Sequence, residues 1–209
     1  MSPDPEVVDL GRAPFAATHE RMLRIVDAVR KREVEGKVLL VEHEPVYTAG
    51  RGTRPPDLLP DMVAVERGGQ ITYHGPGQLV VYPVVRLASR DVLAWLRSLE
   101  RFGIAVCGAF GLTASASDDG TGVFVDGKKV ISIGVAIRHW ISLHGLAINV
   151  DMDLAAFHRI RPCGLDPAVM TDLSRLAGRR IALAEVAEVV RRHVPMLHGI
   201  GAAPRSAVR

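Results

Sequence analysis

The run GVFVDGKKVISIGV at residues 122–135 constrains the fold more than any other stretch of the chain. Asp126-Gly127 lies between two runs rich in β-branched residues. Asp-Gly suits the tight turns that join antiparallel strands, so a hairpin is predicted over 123–137. Any fold for this chain must therefore hold a sheet with at least one antiparallel pair. Strict alternation along the second strand puts Lys129, Ile131 and Ile133 on one face and Lys128, Val130 and Ser132 on the other. The first face is apolar apart from its lysine. If that face is covered, Lys129 is partly desolvated, which lowers its affinity for a proton and makes it a usable base. The plainer reading leaves both lysines in water beside the turn.

The other elements follow from periodicity and punctuation. Residues 14–32 carry Met22, Ile25, Val26 and Val29 at helical spacing with charges between them, and 184–197 repeat that pattern near the C-terminus. Strands are predicted at 37–42, 62–67, 71–73, 78–85, 104–107 and 141–150. Pro83 marks 78–85 as an edge strand or a bulge. Asp91 suits the N-cap of a helix over 91–102, and a short helix is expected over 153–158. Residues 45–60 and 111–122 read as loops and 199–209 as a frayed tail. The mixed order gives an α/β (α+β) class, with a mixed, largely antiparallel sheet flanked by helices in a single domain over 1–198.

Composition narrows the function. A chain of 209 residues with 48% hydrophobic content supports a full core, and no apolar run reaches the length of a membrane span. The start, MSPDPEVVDLGRAP, has acids and prolines where a signal peptide needs a basic and then an apolar stretch, so a cytoplasmic protein is expected. The net charge of +3 is spread along the chain without an interleaved aromatic platform, which argues against nucleic acid. Two cysteines, neither in a CxxC pair, make no disulfide framework and no structural zinc site. His139, His144 and His158 lack a paired ligand at a recognised spacing, so no metal is expected. Neither a GxxxxGK[ST] loop nor a helix-opening GxGxxG is present.

Three segments carry chemistry. Cys163 sits in RPCG, between a proline that fixes the backbone and a glycine that lets a second group approach. That context suits a nucleophile that accepts an acyl group, since a nearby ammonium favours a thiolate. The run RGGQITYHGPGQ (67–78) bends tightly and leaves amides free to face a ligand, although a glycine-rich turn would look the same. His144, in LHGLAIN, reads as a base, a substrate contact or a core histidine. Cys107 reads as a small core residue. His43, in EHEPVYTAGRG, is a core histidine or part of a pocket wall.

Taken together, EHEPVYTAGRG, RGGQITYHGPGQLVVYPV, GVFVDGKKVISIGV, HGLAINVDMDL and RPCG resemble the octanoyl (lipoyl) transferase family of lipoate biosynthesis, in the family's order over residues 42–164. The resemblance implies a fold similar to the catalytic domain of biotin and lipoate ligases. It implies transfer of octanoyl from acyl carrier protein to a lysine of lipoyl domains, those of 2-oxo acid dehydrogenase E2 subunits and of the glycine cleavage H protein. Cys163 would become the octanoyl thioester, and Lys129 would lower the thiol's pKa and relay protons. Arg67, Gly68, Gly69, Gln70, Ile71, Thr72, Tyr73 and His74 would line the substrate site with Ser132, Ile133, Gly134, Gly145, Leu146 and Ala147. His144 would support them, and amides near Gly75, Gly77 or Gly164 would receive the oxyanion. The resemblance implies no cofactor, because exchange between thioesters needs no nucleotide. A monomer is expected. At about 0.8 kcal/mol per buried CH₂, six methylenes contribute at most roughly 5 kcal/mol, so a preference for medium chains is expected rather than one strict length.

Overall fold

The structure, a computed structural model, describes residues 4–57, 59–116 and 122–197, without the side chains of Pro56 and Cys163. The elements are β1 (Glu6–Ala13), α1 (Phe15–Lys31), β2 (Gly36–His43), β3 (Val46–Ala49), β4 (Met62–Ala64), β5 (Ile71–His74), β6 (Gln78–Val85), α2 (Val92–Gly108), β7 (Ser115–Ala116), β8 (Gly122–Val125), β9 (Lys128–Arg138), β10 (Ile141–Asn149), α3 (Leu173–Ala177) and α4 (Leu183–His193). Short 3-10 turns at Leu154–Arg159, Pro162–Gly164 and Pro167–Val169 link β10 to α3. Seven strands form one sheet in the order β1-β2-β6-β10-β9-β8-β7, antiparallel except for β1 on β2. A second sheet, β4-β3-β5, is smaller. This is the α/β architecture with a largely antiparallel sheet that the residue pattern predicts.

Alternation sorts the two faces of the large sheet. Leu39, Val41, Val80, Tyr82, Val84 and Ala147 pack with Met22, Ile25, Val26 and Val29 of α1. Val38, Leu40, Leu79, Val81, Leu146 and Ile148 pack with Trp95, Leu99, Phe102 and Val106 of α2 and with α4. A third cluster joins the small sheet to the turns after β10 through Tyr47, Ile71, Tyr73, Phe157 and Met170.

Two expectations are corrected by packing. Residues 104–107, read as a strand, continue α2 to Gly108. Gly103 is no helix stop, because a Cβ there would come within 2.8 Å of Val123 Cγ2, so the glycine lets the helix lie close to β8. Pro83 lies on a central strand, between β2 and β10. Its missing N–H shows as a gap in the ladder, which pairs Val81 with Leu146 and resumes at the bridge from Arg86 to Ile141. Ser142 Oγ fills the gap by donating to Pro83 O at 2.5 Å and accepting from Val85 N at 3.3 Å. β1, β3 and α3 had no counterpart in the sequence pattern. β1 is a half-exposed edge whose alternation breaks at Gly11, and β3 is four residues inside a stretch read as loop. The expected tail at 199–209 and part of the loop expected at 111–122 lie outside the described residues.

Candidate acyl-transfer site

The turn between β8 and β9 has Asp126 at φ 49° and Gly127 at φ 74°, both left-handed, as a two-residue hairpin requires. The ladder that follows is irregular: Phe124 pairs with Lys129, but Val123 pairs with Ile131. Val130 is therefore the extra residue of a β-bulge. Beyond a bulge, alternation changes sides. Val130 packs into the α2 core beside Ile131, and Lys129 moves to the face that carries Phe124, Gly122 and Ser132. The face assignment drawn from strict alternation is thus wrong for Lys129, yet the lysine is buried, at 2% exposure. Its Nζ lies 5.7 Å from the centre of the Phe124 ring, and a Cβ on Gly122 would come within 2.6 Å of its Cε.

The segment carrying Cys163 runs beside this lysine. Thr171 N donates to Lys129 O at 3.0 Å, Met170 forms a bridge with Lys129, and Lys128 Nζ donates to Ala168 O at 2.9 Å. Upstream, the Pro162–Gly164 turn packs on β5, and a Cβ on Gly164 would lie 3.2 Å from Gln70 Oε1. RPCG thus packs on β5, and the stretch that follows it, residues 168–171, is bonded to the lysine end of β9, while the Cys163 side chain lies outside the described residues.

On the α1 side of the sheet a recess of about 450 Å³, counting its open mouth, is lined by Arg67, Gly69, Thr72, His74, Ser132, Ile133, Gly134, Gly145, Leu146 and Ala147. Phe15, Thr48, Val80, Tyr82 and His144 complete the wall. The period of two splits β5: Thr72 and His74 face the recess, while Ile71 and Tyr73 face the third core cluster. Gly68 and Gln70 do not reach the recess wall. Gly68 N ties the loop to β9 through Val135 O at 2.9 Å.

Arg67 is buried, and much of its guanidinium serves the loop itself. It donates to the carbonyls of Gly68 and Gln70 at 3.1 and 2.8 Å, and to O and Oγ1 of Thr48 at 2.9 and 2.8 Å. Thr72 Oγ1 is buried and has no hydrogen-bond partner among the described residues. Two expected oxyanion donors are already engaged. Gly77 donates its amide to Glu42 Oε1 at 2.8 Å, and Gly164 donates its amide to Arg161 O at 3.0 Å. Neither is free to receive an oxyanion in this conformation.

A polar chain fixes His74. Thr171 O can only accept, so Asn149 Nδ2 donates to it at 2.9 Å. Asn149 Oδ1 then accepts from Gln78 Nε2 at 2.9 Å, and Gln78 Oε1 accepts from His74 Nδ1 at 2.7 Å. His74 therefore carries its proton on Nδ1 and keeps a lone pair on Nε2. Burial, with His43 and Arg67 near, pushes its pKa down to about 3. His43 is fully buried; its Nδ1 donates to Ala13 O at 3.1 Å, and its Nε2 accepts from Tyr82 OH at 2.9 Å. Burial lowers its pKa too, against the opposing bond to Ala13. Cys107 is a core residue whose thiol burial pushes up to about 12.

His144 breaks the alternation of β10. Its partner Val135 packs in the α2 core, but His144 has φ 61° and turns to the α1 side, against Tyr82 and His19. Such backbone is rare for a residue with a Cβ, and it places the imidazole at the recess.

This geometry has known counterparts. Residues 16–194 match the family model described as the lipoyl protein ligase A/B catalytic domain. The chain belongs to that family. An octanoyltransferase from Salinispora tropica is 40% identical over 206 residues, 94% of this chain and 97% of the relative. The fold is that of the bipartite lipoate protein ligase from Thermoplasma acidophilum, at TM-score 0.70 and 16% identity over 92% of this chain and 82% of the other. It is also that of biotin protein ligase from Aquifex aeolicus bound to biotin and ATP, at TM-score 0.56 and 14% identity over 91% and 68% of the two chains.

Phe15, Thr48, Val80 and Tyr82 were not singled out by the sequence. Phe15 opens α1 and Tyr82 stands mid-strand, so each reads as ordinary core until the sheet is assembled. Among the described residues no helix is long and apolar enough to cross a membrane.

Proposed function

We propose that this chain transfers an octanoyl group from acyl carrier protein to a lysine of lipoyl domains, through a thioester on Cys163. Lys129 carries the proposal. It is a buried cation whose backbone is bonded to the segment that leads from RPCG, on the face of the sheet that holds the recess. The 40% identity to an octanoyltransferase supports the choice of acyl group.

Lys129 as an ammonium favours the Cys163 thiolate. The sulfur attacks the octanoyl carbonyl, the bond to the carrier's sulfur breaks, and Lys129 supplies the proton the carrier thiol needs. The acceptor lysine of the lipoyl domain then attacks the thioester through its amine. The Cys163–carbonyl bond breaks, an amide forms, and Lys129 takes up a proton from the nitrogen. A positioned acid–base group of this kind contributes about 10² to 10⁴-fold. The apolar wall of Phe15, Val80 and Ala147 accommodates the alkyl chain, and the unpartnered Thr72 hydroxyl is a ready donor to an acyl oxygen. The lone pair on His74 Nε2 offers an acceptor in the same recess.

The test combines purified protein, octanoyl-acyl carrier protein and apo lipoyl domain without nucleotide. The domain is expected to gain one octanoyl group, and Cys163→Ala is expected to abolish the gain. Undiminished modification by Cys163→Ala, or a strict requirement for ATP, overturns the proposal.

A further inference from the structure

One cluster beside the recess is not used by acyl transfer. His19 of α1, Glu66 of the loop before β5 and His144 of β10 converge from three distant parts of the chain, with one ligand atom from each lying within 4.8 Å of the others. His19 Nε2 is 3.1 Å from both carboxylate oxygens of Glu66, and His144 Nε2 is 3.4 Å from Oε2. The two imidazoles are stacked 5.6 Å apart, with their planes 24° from parallel.

An ion pair between His19 and Glu66 explains only half of this. His144 is 2% exposed, and at 3.4 Å from Glu66 Oε2 its Nε2 makes no well-aligned hydrogen bond among the described residues. A buried ring nitrogen so poorly satisfied is costly, and this one is held in place by backbone in the left-handed region. The neighbours it faces are an imidazole nitrogen and a carboxylate, both good donors to a transition metal.

We propose that His19, Glu66 and His144 form a binding site for a divalent transition metal of the zinc type. Zinc takes nitrogen and carboxylate oxygen at about 2.0–2.2 Å, so two ligand atoms at the tetrahedral angle stand about 3.4 Å apart. The separations of 3.1 Å and 3.4 Å from Glu66 already approach that value, and all three ligand atoms lie within 4.8 Å of one another, so small side-chain shifts bring them to one ion. Two histidines and one carboxylate make a donor set that suits zinc and leaves a coordination position for water or a ligand atom. The metal would complete the bonding of His144 Nε2 and tie α1 to β10. Because His144 also lines the recess, the bound ion would fix one wall of it. No spacing rule reveals the site, since its members are 47 and 78 residues apart in the chain.

The test uses the full chain without an affinity tag, stripped of metal and titrated with Zn²⁺ by calorimetry and with Co²⁺ by visible absorption. The expected result is one ion per chain and a four- or five-coordinate cobalt spectrum. His19→Gln replaces a part-exposed ligand and is expected to weaken binding at least about 100-fold while circular dichroism stays unchanged. Absence of stoichiometric binding, or equal affinity in His19→Gln and the parent, overturns the proposal. If His19→Gln fails to fold, the cobalt spectrum of the parent decides: absorption typical of octahedral water-rich cobalt refutes the site. These readouts do not depend on octanoyl transfer, so the metal site and the acyl-transfer mechanism fail separately.

Discussion

Acid should destabilise this protein through His74 more than through an exposed histidine. The imidazole is buried, bonded through Nδ1 to Gln78, and its pKa lies at about 3 against an ordinary 6.5. A histidine whose folded pKa is depressed stays neutral in the fold but takes a proton in the unfolded chain as pH falls below 6.5. The unfolded state then binds more protons, and stability is lost as pH falls from about 6.5 towards 3. Each unit of separation is about 1.36 kcal/mol. At pH 5 the unfolded histidine is 1.5 units below its own pKa and the folded one is still neutral, so the loss is about 2 kcal/mol. The perturbation is His74→Gln, whose amide can still donate to Gln78 Oε1. Urea unfolding of both proteins from pH 7.5 to pH 5 measures the difference in slope. The parent is expected to lose about 2 kcal/mol more than the variant over that range. Equal slopes would refute the claim that His74 is held neutral by burial.

Gly145→Ala places a Cβ 2.3 Å from Val81 O and 2.6 Å from Pro83 Cδ, so a loss of roughly 3 kcal/mol is expected from urea midpoints, and an unchanged midpoint would contradict the close strand approach. Lys129→Met replaces a buried ammonium by an apolar chain of similar length. Stability is expected to stay equal or rise, because a buried charge is costly, while octanoyl transfer falls about 10² to 10⁴-fold; parallel loss of stability and activity would assign the lysine a structural role alone. Acyl donors of six, eight and ten carbons are expected to differ by no more than about tenfold per methylene in kcat/KM, and an absolute preference for one length would contradict an open-mouthed recess.

The sheet was legible where one physical signal dominated. The Asp126-Gly127 turn and the apolar run of β6 leave few alternatives, and the amphipathic α1 spans Phe15–Lys31 against an expected 14–32. Readings failed where tertiary contact decided. The apolar run 104–107 reads as a strand until α2 is seen to continue through Gly103 against Val123, and Pro83 looks like an edge until Ser142 is seen closing the gap. The family resemblance named segments that border the recess, but the face each residue presents was not legible. A single extra residue, Val130, carries Lys129 to the other side of the sheet, and the left-handed backbone of His144 does the same for its imidazole. Neither a bulge nor a positive φ at a histidine leaves a mark in hydrophobic periodicity. His19 and Glu66 escaped notice for a related reason: sequence spacing reports neighbours on one element, and this cluster is assembled from three.

The most direct test of acyl transfer is the mass of the intact protein after brief exposure to octanoyl-acyl carrier protein with no acceptor present. The expected product carries one octanoyl group, released by neutral hydroxylamine and mapped to the peptide that holds Cys163. A protein that stays unmodified while still octanoylating lipoyl domains, or one acylated on a different residue, contradicts the proposed route.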